Sequence, residues 1–194
     1  LIEYHQMHTF FEVSNLSAQN VNYPTEFRYI TWLIATPIML YMFFVLSGMH
    51  KTHKKVIMTT LSLNFAMIVA GYFAETTYSN KLMPLSFSFL MFSIGFACWL
   101  GIVYIYTVYL PKEVSKLERP EKIDLNKCLN VLGKFVLFGW ALYPAGLFIT
   151  FFDPSIETAL MRELIYNFGD LFNKMGFALV CFFCAVKLSK QSQS

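Results

Sequence analysis

From 83 to 110 the chain carries no Asp, Glu, Lys or Arg. A run that long has one strong solution. About 20 predominantly apolar residues span the hydrocarbon of a bilayer, and without water the backbone N–H and C=O groups must pair within a helix. Three further uncharged runs, 29–49, 56–74 and 135–152, meet or approach that length. A fifth, 164–186, is long enough but contains Asp170 and Lys174. Residues 1–13 read as the last turns of a helix beginning before Leu1, which predicts five complete spans and part of a sixth. The expected fold class is all-α, a polytopic membrane bundle. Only 14% of the 194 residues are charged, against about 25% in ordinary soluble domains.

The loops give an orientation. Lys51, Lys54 and Lys55 follow one span; Lys112, Lys116, Arg119, Lys122 and Lys127 separate two others; Lys187 and Lys190 lie in the tail. These basic segments share one side if every span crosses once, and the positive-inside rule makes that side cytoplasmic, the C-terminus included. The opposite loops read as acidic, with Glu12, Glu26, Glu75, Asp153, Glu157 and Glu163. The expected location is therefore multi-pass in the cell (inner or plasma) membrane, with lipid as a partner. A net charge of +3, locally distributed, excludes a nucleic-acid partner. Cys98, Cys128, Cys181 and Cys184 sit in or beside apolar runs without ligand spacing to histidine, and read as small buried hydrophobes. No repeat, low-complexity tract or separate soluble domain interrupts the pattern.

Asp170 and Lys174 carry the most information. Each costs roughly 2.5–3.5 kcal/mol at the centre of an inserted helix, so an ionisable residue there is a functional candidate by default. Their spacing of four puts them on one helix face, about 6 Å apart along the axis. Entering at Leu164, Lys174 lies roughly 15 Å deep, near the midplane. Spacing alone fits equally well a charge-neutralising pair that holds helices together.

Several motifs, in order, resemble one family. The segment 164–174, Leu-Ile-Tyr-Asn-Phe-Gly-Asp-Leu-Phe-Asn-Lys, resembles the seventh helix of the proteorhodopsins, microbial (type 1) rhodopsins whose lysine forms the retinal Schiff base. Gly139-Trp140-Ala-Leu-Tyr143-Pro144 resembles their sixth helix, and the run from Phe27 through Arg28, Thr31, Trp32, Ala35 and Thr36 to Pro37 their third. Gly71-Tyr72 with Glu75 resembles the fourth, Trp99 the fifth, and Tyr4-His5 the second-helix histidine signature. The resemblance implies a seven-helix retinal-binding domain over 1–194. Helix B would end at 1–13, followed by C at 26–49, D at 55–78, E at 83–110, F at 128–152 and G at 160–187. The first helix and most of the second would precede Leu1.

What the resemblance implies for the site fits the chemistry of the residues. Lysine is the amine that condenses with an aldehyde; all-trans retinal would be covalent to Lys174, with Asp170 as counterion one turn away. A long apolar chromophore needs a slot walled by rings and thioethers. Trp32, Thr36, Met39, Met67, Gly71, Trp99, Trp140, Tyr143 and Pro144 are the positions implied. Any one of them alone reads as core packing. Arg28, His5 and Tyr166 would form a polar network on the extracellular side.

Outward proton pumps of this family carry carboxylates where this chain has Thr31 and Met42, and threonine where it has Ala35. Neither Thr31 nor Met42 takes a proton near neutral pH, so outward pumping is not expected. With one carboxylate fewer, the buried cation is less stabilised, which predicts a near-ultraviolet form alongside a visible one. The pattern resembles the non-pumping Thr-Ala-Thr subgroup, from which Met42 departs. Glu3 would lie inside the membrane zone, either paired with Arg28 or joined to Asp170 around a hard cation such as calcium.

The expected function is a photosensor without enzymatic activity. A light-driven anion (chloride) transporter or channel is the alternative, since Thr31 resembles the threonine of chloride-pumping rhodopsins while Ala35 lacks their neighbouring hydroxyl. A signalling partner would be a separate molecule, and a homo-oligomer is among the expected assemblies.

Overall fold

The computed structural model describes residues 25–79, 82–118, 122–153 and 155–191. The described residues form five helices long and apolar enough to cross a membrane, and no strand. They are α1 (Thr25–Leu46), α2 (Lys54–Ser79), α3 (Leu85–Ser115), α4 (Lys122–Phe152) and α5 (Ile156–Gln191). A single 3-10 turn, Met49–Lys51, joins α1 to α2.

The helices differ at their ends from the bounds that the resemblance implies. α4 begins at Lys122 rather than 128, and α5 runs from Ile156 to Gln191 rather than 160–187. An apolar run marks only the hydrocarbon zone, whereas the backbone ladder continues into the polar interface wherever nothing stops it. α1 does stop early, at Leu46 rather than 49. Gly48 takes a left-handed φ of 72°, a conformation that a side chain would oppose.

Two helices are interrupted. α3 passes through a π-helical turn at Ile105–Tyr109, and α4 through another at Phe135–Gly139, just before Trp140 and Pro144. Extra residues of this kind in a helix concentrate at functional sites.

Small residues set the closest packing. α2 lies most extensively against α3. A Cβ on Gly95 would meet the Met67 carbonyl at 3.3 Å and the Ala70 Cβ at 3.6 Å. In lipid, where apolar burial gives no drive between helices, such close backbone approach is the main source of adhesion. The largest core cluster gathers Leu40, Phe43, Phe44, Tyr106, Leu129, Leu132 and Phe177 from α1, α3, α4 and α5. A smaller one, of Tyr29, Trp32, Ile68 and Tyr166, lies toward the end away from the lysine-rich loops. Between them sits the site.

Candidate functional site: a half-buried lysine, its buried carboxylate and an aromatic cavity

Asp170 is 4% exposed and accepts from three other residues. Trp32 of α1 donates its indole N–H to Oδ1 and Oδ2 at 2.9 and 3.1 Å. Tyr143 of α4 donates its hydroxyl to Oδ1 at 2.7 Å. Lys174, one turn along α5, donates Nζ to Oδ2 at 2.8 Å. A carboxylate in a low-dielectric interior is costly unless its lone pairs are met. Here α1, α4 and α5 each contribute a donor, so the carboxylate fixes how those helices face one another.

The Lys174 side chain borders a cavity whose polar edge is this cluster. Trp32, Thr36 and Met39 of α1 line it, with Met67 and Gly71 of α2, Trp99 of α3, and Trp140, Tyr143 and Pro144 of α4. All nine positions named from the sequence thus border one space, together with Asp170 and Lys174. Phe92, Gly95, Phe96 and Leu147 line it as well, and sequence reasoning did not single them out. Gly71 leaves room beside the Tyr29 ring, which a Cβ would approach to 3.4 Å. Trp32 packs edge-on to Tyr143 at 4.7 Å and Tyr29 at 5.0 Å between ring centroids, which fixes the wall nearest the carboxylate. One amine, one acid and otherwise mostly apolar and aromatic surface fit a long apolar aldehyde held covalently; they offer nothing for a highly polar ligand.

Thr31, Ala35 and Met42 do not line this space. The Thr31 hydroxyl donates to the Phe27 carbonyl of its own helix at 2.9 Å. Met42 borders a separate apolar groove with Pro37, Leu61 and Cys181.

The chain belongs to the bacteriorhodopsin-like family. The family model, "Bacteriorhodopsin-like protein", matches residues 1–188. A green-light absorbing proteorhodopsin from Gamma-proteobacterium EBAC31A08 is 28% identical over 170 residues, which are 87% of this chain and 64% of that relative. Sensory rhodopsin-2 of Natronomonas pharaonis is 25% identical over 83% of this chain and 62% of its own length. Halorhodopsin of the same organism is 29% identical over 79% of this chain and 48% of its own. The crystal structure of Exiguobacterium sibiricum rhodopsin superposes with a TM-score of 0.79 at 34% identity, covering 88% of this chain and 75% of that one. The chain thus spans less than two thirds of the length of these curated relatives. It is a multi-pass membrane segment of a microbial rhodopsin, a family whose retinal is bound to a lysine.

A second buried polar cluster corrects the sequence reading. Glu75 and Glu163, read as loop carboxylates, lie inside α2 and α5 at 0% and 5% exposure. Arg28 of α1 forms an ion pair with Glu163, and its Nη1 lies 3.8 Å from Glu75 Oε1. Arg162 Nη2 reaches Glu163 at 2.9 Å and Glu75 at 3.4 Å. Tyr29 donates to Glu75 at 2.9 Å, and the Arg28 guanidinium lies 5.0 Å from the Tyr166 ring centre. Two cations and two anions cancel, which is what lets all four sit in the bundle. The sequence reading did not single out Arg162 or Tyr29 for this cluster, and it named Glu75 in the fourth-helix motif and Glu163 as a loop acid without their partners, because residues near the ends of apolar runs look solvent-exposed. The adjacent Arg162-Glu163 pair was the available signal. Of the polar network expected on the extracellular side, Arg28 and Tyr166 meet here. His5 lies outside the described residues, and so does Glu3 with both of its expected pairings.

Proposed function

We propose that this chain is the greater part of a retinal-binding photoreceptor in which Lys174 carries the chromophore and Asp170 balances its charge. The observation that carries the reading is the Lys174 Nζ to Asp170 Oδ2 contact of 2.8 Å at the edge of a ring-lined cavity. When bound, retinal supplies light absorption and a double bond that isomerises. The protein's own residues do the rest. Trp32 and Tyr143 hold Asp170 in place, so that the carboxylate faces the Lys174 nitrogen. Rings from α1, α3 and α4 wall the slot beside the amine.

The reading is a sensor rather than an outward proton pump. Thr31 and Met42 offer no group that takes up a proton near neutral pH, and Thr31 already donates within its own helix. Asp170, taken by three donors, is the carboxylate beside Lys174 among the described residues. Orientation with the C-terminus in the cytoplasm follows from the lysine-rich loops. A separate signalling partner and a homo-oligomer belong to the same proposal, as does calcium between Glu3 and Asp170. An unchanged absorption spectrum on calcium addition removes that last element.

The deciding experiment is borohydride reduction after retinal addition to the full-length protein, followed by peptide mapping. Label on Lys174 supports the assignment, and label elsewhere or nowhere overturns it. Illuminated vesicles then separate sensing from transport: no light-driven change in pH or membrane potential, with or without chloride, is the expected result. A chloride-dependent potential would favour the anion transporter instead.

A further inference from the structure

The π-helical turn of α4 at Phe135–Gly139 lies beside the cavity, and the function proposed above makes no use of it. Such a turn shifts each backbone donor by one residue and leaves carbonyls looking for partners. The Trp140 N–H bonds the Phe135 carbonyl at 3.0 Å, and the Tyr143 N–H turns to the Trp140 carbonyl at 3.2 Å. Pro144, five residues after Gly139, has no N–H to give. The Gly139 carbonyl therefore receives neither of the two backbone donors that helical geometry would send it.

Two neighbouring helices brace the turn with side chains. Trp99 of α3 donates its indole N–H to the Val136 carbonyl at 2.9 Å. Asn173 of α5, 1% exposed, donates Nδ2 to the Gly139 carbonyl at 3.0 Å. The same Nδ2 lies 3.3 Å from the Tyr143 hydroxyl, which donates to Asp170. Glycine at 139 is what admits the contact, because a Cβ there would stand 1.9 Å from Asn173 Oδ1. That Oδ1 is buried and has no hydrogen-bond partner among the described residues. A buried acceptor left unmet lowers stability, so the amide is a poor choice for mere packing.

We propose that Asn173 is a positioning residue that couples Lys174 to the break in α4. The coupling rests on Lys174 being the chromophore-bearing lysine. Asn173 is the chain neighbour of Lys174, so any displacement of the lysine's backbone moves the amide. The amide holds a carbonyl that its own helix leaves unsupported, so the motion passes to the turn above Trp140. The hydrogen bond through Tyr143 ties the same amide to the carboxylate.

The test uses the full-length protein in membranes with added retinal. Each variant is first checked for borohydride label on Lys174. Asn173→Leu should shift the visible band and change the recovery time after a flash by roughly threefold or more, the range expected for removing one coupling contact. Gly139→Ala alone should bleach thermally about tenfold faster, through overpacking against Asn173. In the double variant Gly139→Ala/Asn173→Ala the clash is gone, and bleaching should return close to that of Asn173→Ala. If Gly139→Ala yields no pigment, recovery of pigment in the double variant supports the same contact. An Asn173→Leu pigment with unshifted band and unchanged recovery overturns the coupling, as does strict additivity of the Gly139 and Asn173 effects. An unlabelled Lys174 in the parent overturns the chromophore assignment and the coupling with it. The Gly139–Asn173 contact would then still be readable as non-additive thermal unfolding of the retinal-free protein.

Discussion

Two buried charge clusters use the same two helices, α1 and α5, and solve the cost of burial differently. The Asp170–Lys174 cluster is local: acid and amine sit one turn apart on α5, and neutral donors from α1 and α4 complete the carboxylate. The Arg28–Glu75–Arg162–Glu163 cluster joins residues far apart in the chain, with two full ion pairs shared among α1, α2 and α5. One arrangement leaves an amine at the edge of a cavity, where it can react. The other leaves its charges bound to one another, where they can only hold. Under the proposed function, chemistry and architecture are thus separated along one helix, by about two turns.

Substitutions that strike one function and spare the other would sharpen this contrast. Lys174→Ala should abolish the visible band on retinal addition altogether, while circular dichroism still reports a helical membrane protein; a visible band in that variant would place the attachment elsewhere. Glu163→Gln should do the reverse. It leaves Arg28 and Arg162 facing one acid, and losing a partner from a buried ion pair costs about 3–5 kcal/mol. Pigment should form but unfold well below the parent's temperature, and an unchanged melting point would show that the cluster is not structural. Tyr29→Phe removes one donor from Glu75. A hydrogen bond to a charged group is worth roughly 1.5–3 kcal/mol, so its melting temperature should fall by less than that of Glu163→Gln.

The smallest effect belongs to the turn before α5. The Thr158 hydroxyl, then the Ser155 side chain and backbone N–H, hold the Asp153 carboxyl below its ordinary value. A group depressed in the folded state adds stability above the unfolded value, about 3.9 for aspartate, and loses it as pH falls through the folded one. Asp153→Ala should therefore melt slightly below the parent at pH 7, and the gap should close in strong acid. A gap that widens in acid would reverse the sign of the argument.

Different parts of this molecule were legible for different reasons. The Asp170–Lys174 pair stood out because a charge in a hydrocarbon run is visible one residue at a time. The nine cavity positions came from motif resemblance, and they now border one space with Lys174. Phe92, Gly95 and Phe96 were not legible, because a phenylalanine in an apolar helix looks the same whether it faces lipid or a cavity. Glu163 was read as a loop acid, and Glu75 as both a loop acid and part of the fourth-helix motif, because their places near the ends of apolar runs resemble loop positions. Asn173 sits between Phe172 and Lys174 without any pattern to mark its partner, which is a backbone carbonyl left without a backbone donor at the break in another helix.

The amino-acid order by itself determined that this chain crosses a bilayer, and that an amine and an acid share a face within one span. Those are local facts, since the cost of exposing backbone or burying charge in lipid is set residue by residue. Only the tertiary structure decided which distant charges meet and which side chain braces the broken helix. Such meetings depend on how far each helix is rotated and shifted against its neighbours, and close packing of the whole bundle sets that.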